Sequence, residues 1–178
     1  MYQQVLDFWF QENGPEQWFK SDPDFDETIL ERFKTLHDQA ALCECWQWRE
    51  TPHGRLAEII VLDQFSRNMY RDTPAAFAQD PLSLALAQEA VAVGADASLS
   101  APEKAFLYMP YMHSESALIH EQAVQLFDQP GLEQNYDFEL RHKIIIDRFG
   151  RYPHRNAILG RPSTAEEEAF LQQPGSSF

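Results

Sequence analysis

A short basic segment, RFGRYPHRN at residues 148 to 156, stands out in a strongly acidic chain. The formal net charge of the chain is -14, yet residues 141 to 161 hold six of its 14 Lys and Arg residues and a single acid, Asp147. Arginine guanidinium groups bind carboxylates and phosphates through paired hydrogen bonds. The segment can therefore either neutralise carboxylates buried in the same chain or bind an external anion.

Several polar residues occupy positions where the sequence pattern calls for apolar ones. Asp63 continues the apolar face of a predicted helix through Ile59, and His142 lies on the apolar face of a later helix. Glu115 and Gln122 share a predicted face with leucine and isoleucine. Buried charges need partners and hydrogen bonds. The cations that can pair with these acids are Arg67, Arg148, Arg151 and Arg155.

The same residues predict a polar groove. If the cations outnumber the buried acids locally, the surplus Arg and His side chains would face a groove that binds a small anion or an acidic peptide end. Our first functional hypothesis is therefore a binding module. The candidate ligand-binding residues are Asp63, Arg67, Asn68, His113, Glu115, Gln122, His142, Arg148, Arg151, His154 and Arg155.

Two alternative functions use this set of residues differently. In a metal-independent hydrolase or transferase, Glu115 or His142 would act as general base. Arg151 or Arg155 would then stabilise the developing negative charge. In a purely structural cluster, every arginine would be paired and the site would be closed to solvent. All three interpretations are compatible with the residue types.

The sequence contains no motif for a metal ion or another cofactor. The residues from His113 to His142 include no HExxH pair, and the seven glycines are scattered instead of forming a phosphate-binding loop. Cys43 and Cys45 flank a single residue, which is too close for an unstrained disulfide. We therefore expect two free thiols, no metal and no cofactor.

Helices must position these side chains, because apolar residues recur at helical spacing along most of the chain and no alternating strand pattern is present. The pairs Asp22-Pro23 and Asp80-Pro81 each place an N-cap residue before a proline at the first helical position. The apolar face predicted behind Asp80 consists of Leu82, Ala85, Leu86 and Val93.

Further helices are predicted toward the end of the chain. One runs from about Glu115 to Phe127, the next ends at Gly150, and the last begins after Thr164. We therefore predict an all-α fold of about seven or eight helices, organised as one domain over residues 1–178.

Composition restricts the partners and the location of the protein. Apolar residues make up 44% of the chain, enough for a core, but no apolar run approaches the ~20 residues that cross a membrane. A sequence pI of about 4.7 opposes binding to nucleic acid and to anionic membranes. We predict a soluble, cytoplasmic protein without nucleic-acid or membrane partners.

Five segments resemble a bacterial family catalogued as domain of unknown function 924. They are VLDFWF from Val5, WF at Trp18, LDQFSRNMYR from Leu62, FLYMPYMHSE from Phe106 and RFGRYPHRNAILGRPSTAEEEAFL from Arg148. The resemblance implies an all-helical fold similar to tetratricopeptide-repeat proteins, with stacked helical hairpins and no assigned reaction. It also implies that the motif residues are those listed above together with Gln64, Ser114 and Asn156. Cys43 and Cys45 depart from the family, whose sequences are similar to Gly-Glu-Leu at residues 43–45.

Overall fold

The structure is a computed structural model that describes residues 1–177, and these residues form helices and turns with no β-strand among them. The α-helices are α1 (Tyr2–Asp7), α2 (Pro15–Trp18), α3 (Pro23–Ala41), α4 (Pro52–Ile60), α5 (Ser66–Met69), α6 (Asp80–Ala92), α7 (Ala101–Met112), α8 (Ala117–Phe127), α9 (Glu133–Phe149) and α10 (Ala165–Leu171). The π-helical segments Phe8–Glu12 and Val61–Phe65 continue α1 and α4, and short 3-10 turns lie at Trp46–Glu50, Pro74–Phe77, Ala95–Ser98 and Pro153–Arg155. The all-α prediction is confirmed. The last residue of the predicted domain, Phe178, lies outside the described residues.

Helix α3 begins as its sequence predicts. The Asp22 carboxylate accepts hydrogen bonds from the backbone N–H groups of Asp24 and Phe25 at 3.2 and 3.4 Å. Pro23 occupies the first helical position, where its missing N–H group is not needed. The apolar residues at helical spacing from Phe25 to Ala40 are buried. Capping and burial therefore favour the same helix.

Helix α4 and its π-helical continuation lie at the centre of the core. Helices α1, α6 and α7 pack on α4, and α3 packs on the π-helical segment and on α5. Leu56, Ile59 and Leu62 are fully buried. Because helices surround it, the π-helical segment Val61–Phe65 is buried at every position, including the polar ones.

Helix α6 differs from its predicted start and buried face. Gln79 precedes the helix, and the Asp80 carboxylate binds a distant arginine instead of acting as the N-cap. The buried residues are Ser83, Ala87 and Ala90. The predicted face of Leu82, Ala85, Leu86 and Val93 is half-buried or exposed. The face is rotated because α6 presents its small side chains to α4 and α7.

Helix α8 begins at Ala117, slightly later than predicted, and packs between α7 and α9. Its buried face contains His120, Ala123 and Phe127. Leu118 and Gln122 are exposed, so the predicted face that included Gln122 is wrong. The helix is rotated because buried His120 binds an acid on α9.

The end of α9 returns the chain to the rest of the fold. Gly150 adopts a left-handed conformation with φ of 67°, as predicted for a residue that ends a helix. The following segment packs on the connection between α7 and α8, where the Tyr152 hydroxyl donates to the carbonyl of Met112. No helix within residues 1–177 is long and apolar enough to cross a membrane.

Candidate functional site

The π-helical segment carries Asp63 into the interior, where this residue is 1% exposed. Its Oδ1 atom lies 3.0 Å from Arg67 Nη1 and 2.8 Å from His113 Nδ1, and its Oδ2 atom accepts a hydrogen bond from Gln64 at 2.6 Å. Burial opposes ionisation, but Arg67 and His113 outweigh it and hold the pKa of Asp63 below its ordinary value. The predicted pairing of Asp63 with an arginine is confirmed. Single π-turns are frequent at functional sites.

Arg67 connects Asp63 to a second acid. Its guanidinium group binds both carboxylate oxygens of Asp80, at 2.9 and 3.1 Å. Arg155 Nη1 lies 3.3 Å from the same carboxylate. The guanidinium carbon of Arg155 lies 4.6 Å from the ring centroid of Phe77, which holds its plane against an aromatic side chain. Asp63, Arg67, Asp80 and Arg155 thus form one ion-pair network.

The network fixes the protonation of His113. Because the ionised Asp63 carboxylate faces Nδ1, that nitrogen carries the proton and Nε2 keeps its lone pair. Burial, followed by the charge of Arg67, lowers the pKa of His113, although Asp63 acts in the opposite direction. No hydrogen bond to Nε2 is present within residues 1–177. At neutral pH His113 is therefore a neutral imidazole with a free acceptor.

His113 lines a cavity of about 390 Å³, which we call the Asp80 cavity. One side is apolar and includes three prolines together with Phe77, Leu84 and Leu159. The other side carries Asp80, His113, Ser114, Glu115 and Arg155. An apolar wall with a few convergent polar groups, at a volume within ~300–1,000 Å³, is typical of small-molecule sites.

The arginines of the basic segment are paired with acids. Arg148 binds Glu166 at 2.8 Å, Arg151 binds Glu167 at 2.6 Å, Arg155 binds Asp80 at 3.3 Å and Arg161 binds Glu115 at 2.7 Å. Each of these cations therefore contacts a carboxylate, although Arg155 shares Asp80 with Arg67. Internal neutralisation therefore explains why these four arginines are clustered in an acidic chain.

Glu115 and His142 are poorly placed for the general-base role considered from the sequence. Glu115 is bound by both guanidinium Nη atoms of Arg161, which was not among its predicted partners, and it accepts a hydrogen bond from the Tyr152 N–H group. These contacts outweigh burial and lower the pKa of Glu115. His142 donates to the carbonyl of Phe138, and burial lowers its pKa to about 3.

The structure brings five of the predicted site residues together around the Asp80 cavity, namely Asp63, Arg67, His113, Glu115 and Arg155. Asn68 lies elsewhere and donates to Asp26 on α3. Arg148 and Arg151 hold the start of α10, and Gln122 is exposed on α8. Burial and the charge of Arg155 lower the pKa of His154 to about 4.

A second polar pair, missed in the sequence, lies between α8 and α9. His120 Nδ1 is 2.6 Å from Glu139 Oε1, and both side chains are fully buried. His120 Nε2 faces the carbonyl oxygen of Ser114 at 2.8 Å, so Nε2 carries a proton. Glu139 lies three residues before His142 on α9, so the two side chains share one face of the helix. That spacing could have indicated in the sequence that Glu139 is buried.

Residues 1–177 bring no three His, Cys, Asp or Glu side chains into a group that could hold a metal ion. The model of a family described as bacterial protein of unknown function, DUF924, matches residues 5–175. The chain belongs to this family.

The chain is also similar to a protein whose structure has been solved. A protein of unknown function from Agrobacterium tumefaciens is 37% identical to this chain, with 96% of each chain covered and a TM-score of 0.91. No curated protein matches the chain. The two proteins therefore share the helical architecture described above.

Proposed function

We propose that this DUF924 protein binds a small, uncharged and largely apolar molecule in the Asp80 cavity. The observation that carries the proposal is His113, which lines this largely apolar cavity and whose Nε2 accepts no hydrogen bond from residues 1–177. A hydroxyl or N–H group of the ligand would donate to Nε2. The apolar body would contact Phe77, Leu84 and Leu159, which bury it from water.

The charges around the cavity favour an uncharged ligand. The charged residues that line the cavity are one cation, Arg155, and two carboxylates, Asp80 and Glu115. All three are paired, because Arg155 binds Asp80 and Arg161 binds Glu115. An anion would have to displace a carboxylate from an arginine or remain beside one. Leaving a buried charge without its partner costs several kcal/mol, about 3–5.

A small anion or an acidic peptide end is the second candidate ligand. It is favoured by Arg155, which lines the cavity while its buried Nε has no hydrogen-bond partner within the described residues. Arg155 would bind the anion through its remaining hydrogen-bonding capacity. This candidate keeps the ligand class expected from the basic segment.

The free thiols and the acidic composition also support a cytoplasmic location. Cys43 is exposed and Cys45 is buried, and neither forms a disulfide. Free cysteines are typical of reducing compartments. The formal charge of -14 supports the absence of a nucleic-acid partner.

The two ligand classes can be separated with a pair of compounds that differ in charge but hardly in size. We would measure melting temperature with benzyl alcohol and with benzoate at constant ionic strength. Near 100 times its dissociation constant, the bound compound should raise the midpoint by roughly 5–10 °C. We expect benzyl alcohol to stabilise the native protein and benzoate to do so much less.

Two variants provide the controls. Ala78→Trp places a large side chain at the cavity wall and should abolish the shift, whereas Gln122→Trp on exposed α8 should retain it. His113→Ala should weaken the binding of benzyl alcohol and leave the binding of benzoate unchanged. If benzoate raises the melting temperature more than benzyl alcohol does, and Arg155→Gln removes that difference, the ligand is an anion. Equal shifts in native protein and Ala78→Trp would refute binding in this cavity.

A further inference from the structure

The Asp63–His113 pair has the arrangement of a general base. The distance between Asp63 Oδ1 and His113 Nδ1 is 2.8 Å, and His113 is one of the residues that line the Asp80 cavity. A carboxylate in this position holds the imidazole in one tautomer and stabilises the imidazolium that forms when Nε2 takes a proton. Asp63 is itself held by Arg67 and Gln64, so the ring has little freedom to turn.

We propose that His113 is a catalytic base that removes a proton from carbon in a small, uncharged substrate bound in the Asp80 cavity, with Asp63 as its positioning residue. The inference rests on the proposed function, because it requires the same cavity to be occupied. In this step the C–H bond breaks, the proton passes to Nε2, and the electron pair remains with the substrate. The reaction class is the proton abstraction that begins an elimination or an isomerisation.

Within residues 1–177, only one acid–base group on the cavity wall is available for such a step. Among the described residues that line the cavity, Asp80 and Glu115 are bound by arginines, whereas His113 has a free lone pair. A single base supports a reaction that moves one proton. A bound substrate that packs on Phe77 and Leu84 would displace water from the base.

The surroundings keep His113 unprotonated and able to act. The charged and titratable groups that face it are Asp63, Arg67, Asp80, Glu115, His142 and Arg155. Arg67 opposes a positive charge on the ring, while Asp63 and Asp80 favour one. Because burial and Arg67 lower the pKa of His113, the base form should persist below pH 6.5.

The probe is 5-nitrobenzisoxazole, an uncharged aromatic carbon acid. When a base takes its ring proton, the electron pair of the C–H bond forms a nitrile, the N–O bond breaks, and a coloured phenolate appears. We expect saturable turnover by the native protein and a loss of about 10²-fold or more in kcat/KM for His113→Ala. His53→Ala is the matched control, since His53 is exposed and pairs with Glu103 away from the cavity.

The positioning role of Asp63 is tested by the pH profile. In native protein the rate should rise through the pKa of His113 and then level off. In Asp63→Asn the rate at the plateau should fall. The midpoint of the pH profile should move to lower pH, because the anion that favours the imidazolium is absent. If this variant does not fold, free imidazole added to His113→Ala should restore turnover, and unchanged turnover in that mixture would count against the cavity base.

Binding of the probe, measured separately by NMR line broadening, distinguishes the two proposals. Saturable binding with equal turnover by native protein and His113→Ala would overturn the catalytic role and leave the ligand site intact. Binding that Ala78→Trp does not reduce would overturn both. Binding together with turnover that is lost in His113→Ala and kept in His53→Ala is the expected result.

Discussion

Replacing Asp63 by alanine tests the buried network most severely. The change removes the carboxylate that contacts Arg67, His113 and Gln64 at 3.0, 2.8 and 2.6 Å. Breaking a buried ion pair costs about 3–5 kcal/mol because the remaining charge stays buried. Arg67 would keep its two hydrogen bonds to Asp80, which places the expected loss near the lower value, about 3 kcal/mol.

The assay is urea unfolding at pH 7, followed by the signal of the buried tryptophans. Asp147→Ala is a matched control. Residues 63–67 (DQFSR) and 147–151 (DRFGR) share the pattern Asp-x-Phe-x-Arg, but Asp147 is exposed and pairs with Lys143 on the surface. Exposed pairs contribute about 0–1 kcal/mol. A loss for Asp63→Ala as small as that for Asp147→Ala would refute the buried network.

Three further predictions concern the cysteines and the histidines. Cys43→Gly should raise the free energy of unfolding by about 0.5–1 kcal/mol in urea titration, since Cys43 has a φ of 60° at the end of α3, where glycine is unstrained; an unchanged midpoint would contradict this. Burial raises the pKa of Cys45 to about 11, so mass spectrometry after iodoacetamide at pH 8 should find Cys43 alkylated and Cys45 intact in the folded protein. Burial lowers the pKa of His142 to about 3 and that of His154 to about 4, so the unfolded state binds almost two more protons near pH 5. Stability should therefore fall by about 2–2.5 kcal/mol per unit as pH decreases from 6 to 4.5. Equal denaturation midpoints at pH 7 and pH 5 would contradict that result.

The features that could be predicted from the sequence depend on local contacts. The Asp22 cap binds N–H groups two and three residues later, and Gly150 ends α9 through its own backbone conformation. Arg67 lies one helical turn after Asp63, so their pairing follows from spacing alone. A helical pattern contains all of this information.

The remaining features depend on contacts between distant parts of the chain. Asp80 has the local pattern of an N-cap, but its partner Arg155 lies 75 residues away and becomes a neighbour only after folding. Glu115 and Arg161 are separated by 46 residues. Periodicity likewise identified an apolar stripe on α6, but the contacts with α4 and α7 determine which face is buried. These contacts result from the packing of distant segments, which cannot be predicted from composition and residue spacing.

The protonation of His113 is the most direct test of the site. Two-bond ¹H–¹⁵N correlation NMR on the native protein at pH 7 distinguishes a protonated ring nitrogen from one that carries a lone pair. We predict that Nδ1, beside Asp63, is protonated, that Nε2, on the other side of the ring, is not, and that benzyl alcohol shifts the Nε2 resonance. A proton on Nε2 at pH 7, in either the other tautomer or the imidazolium, would contradict the account.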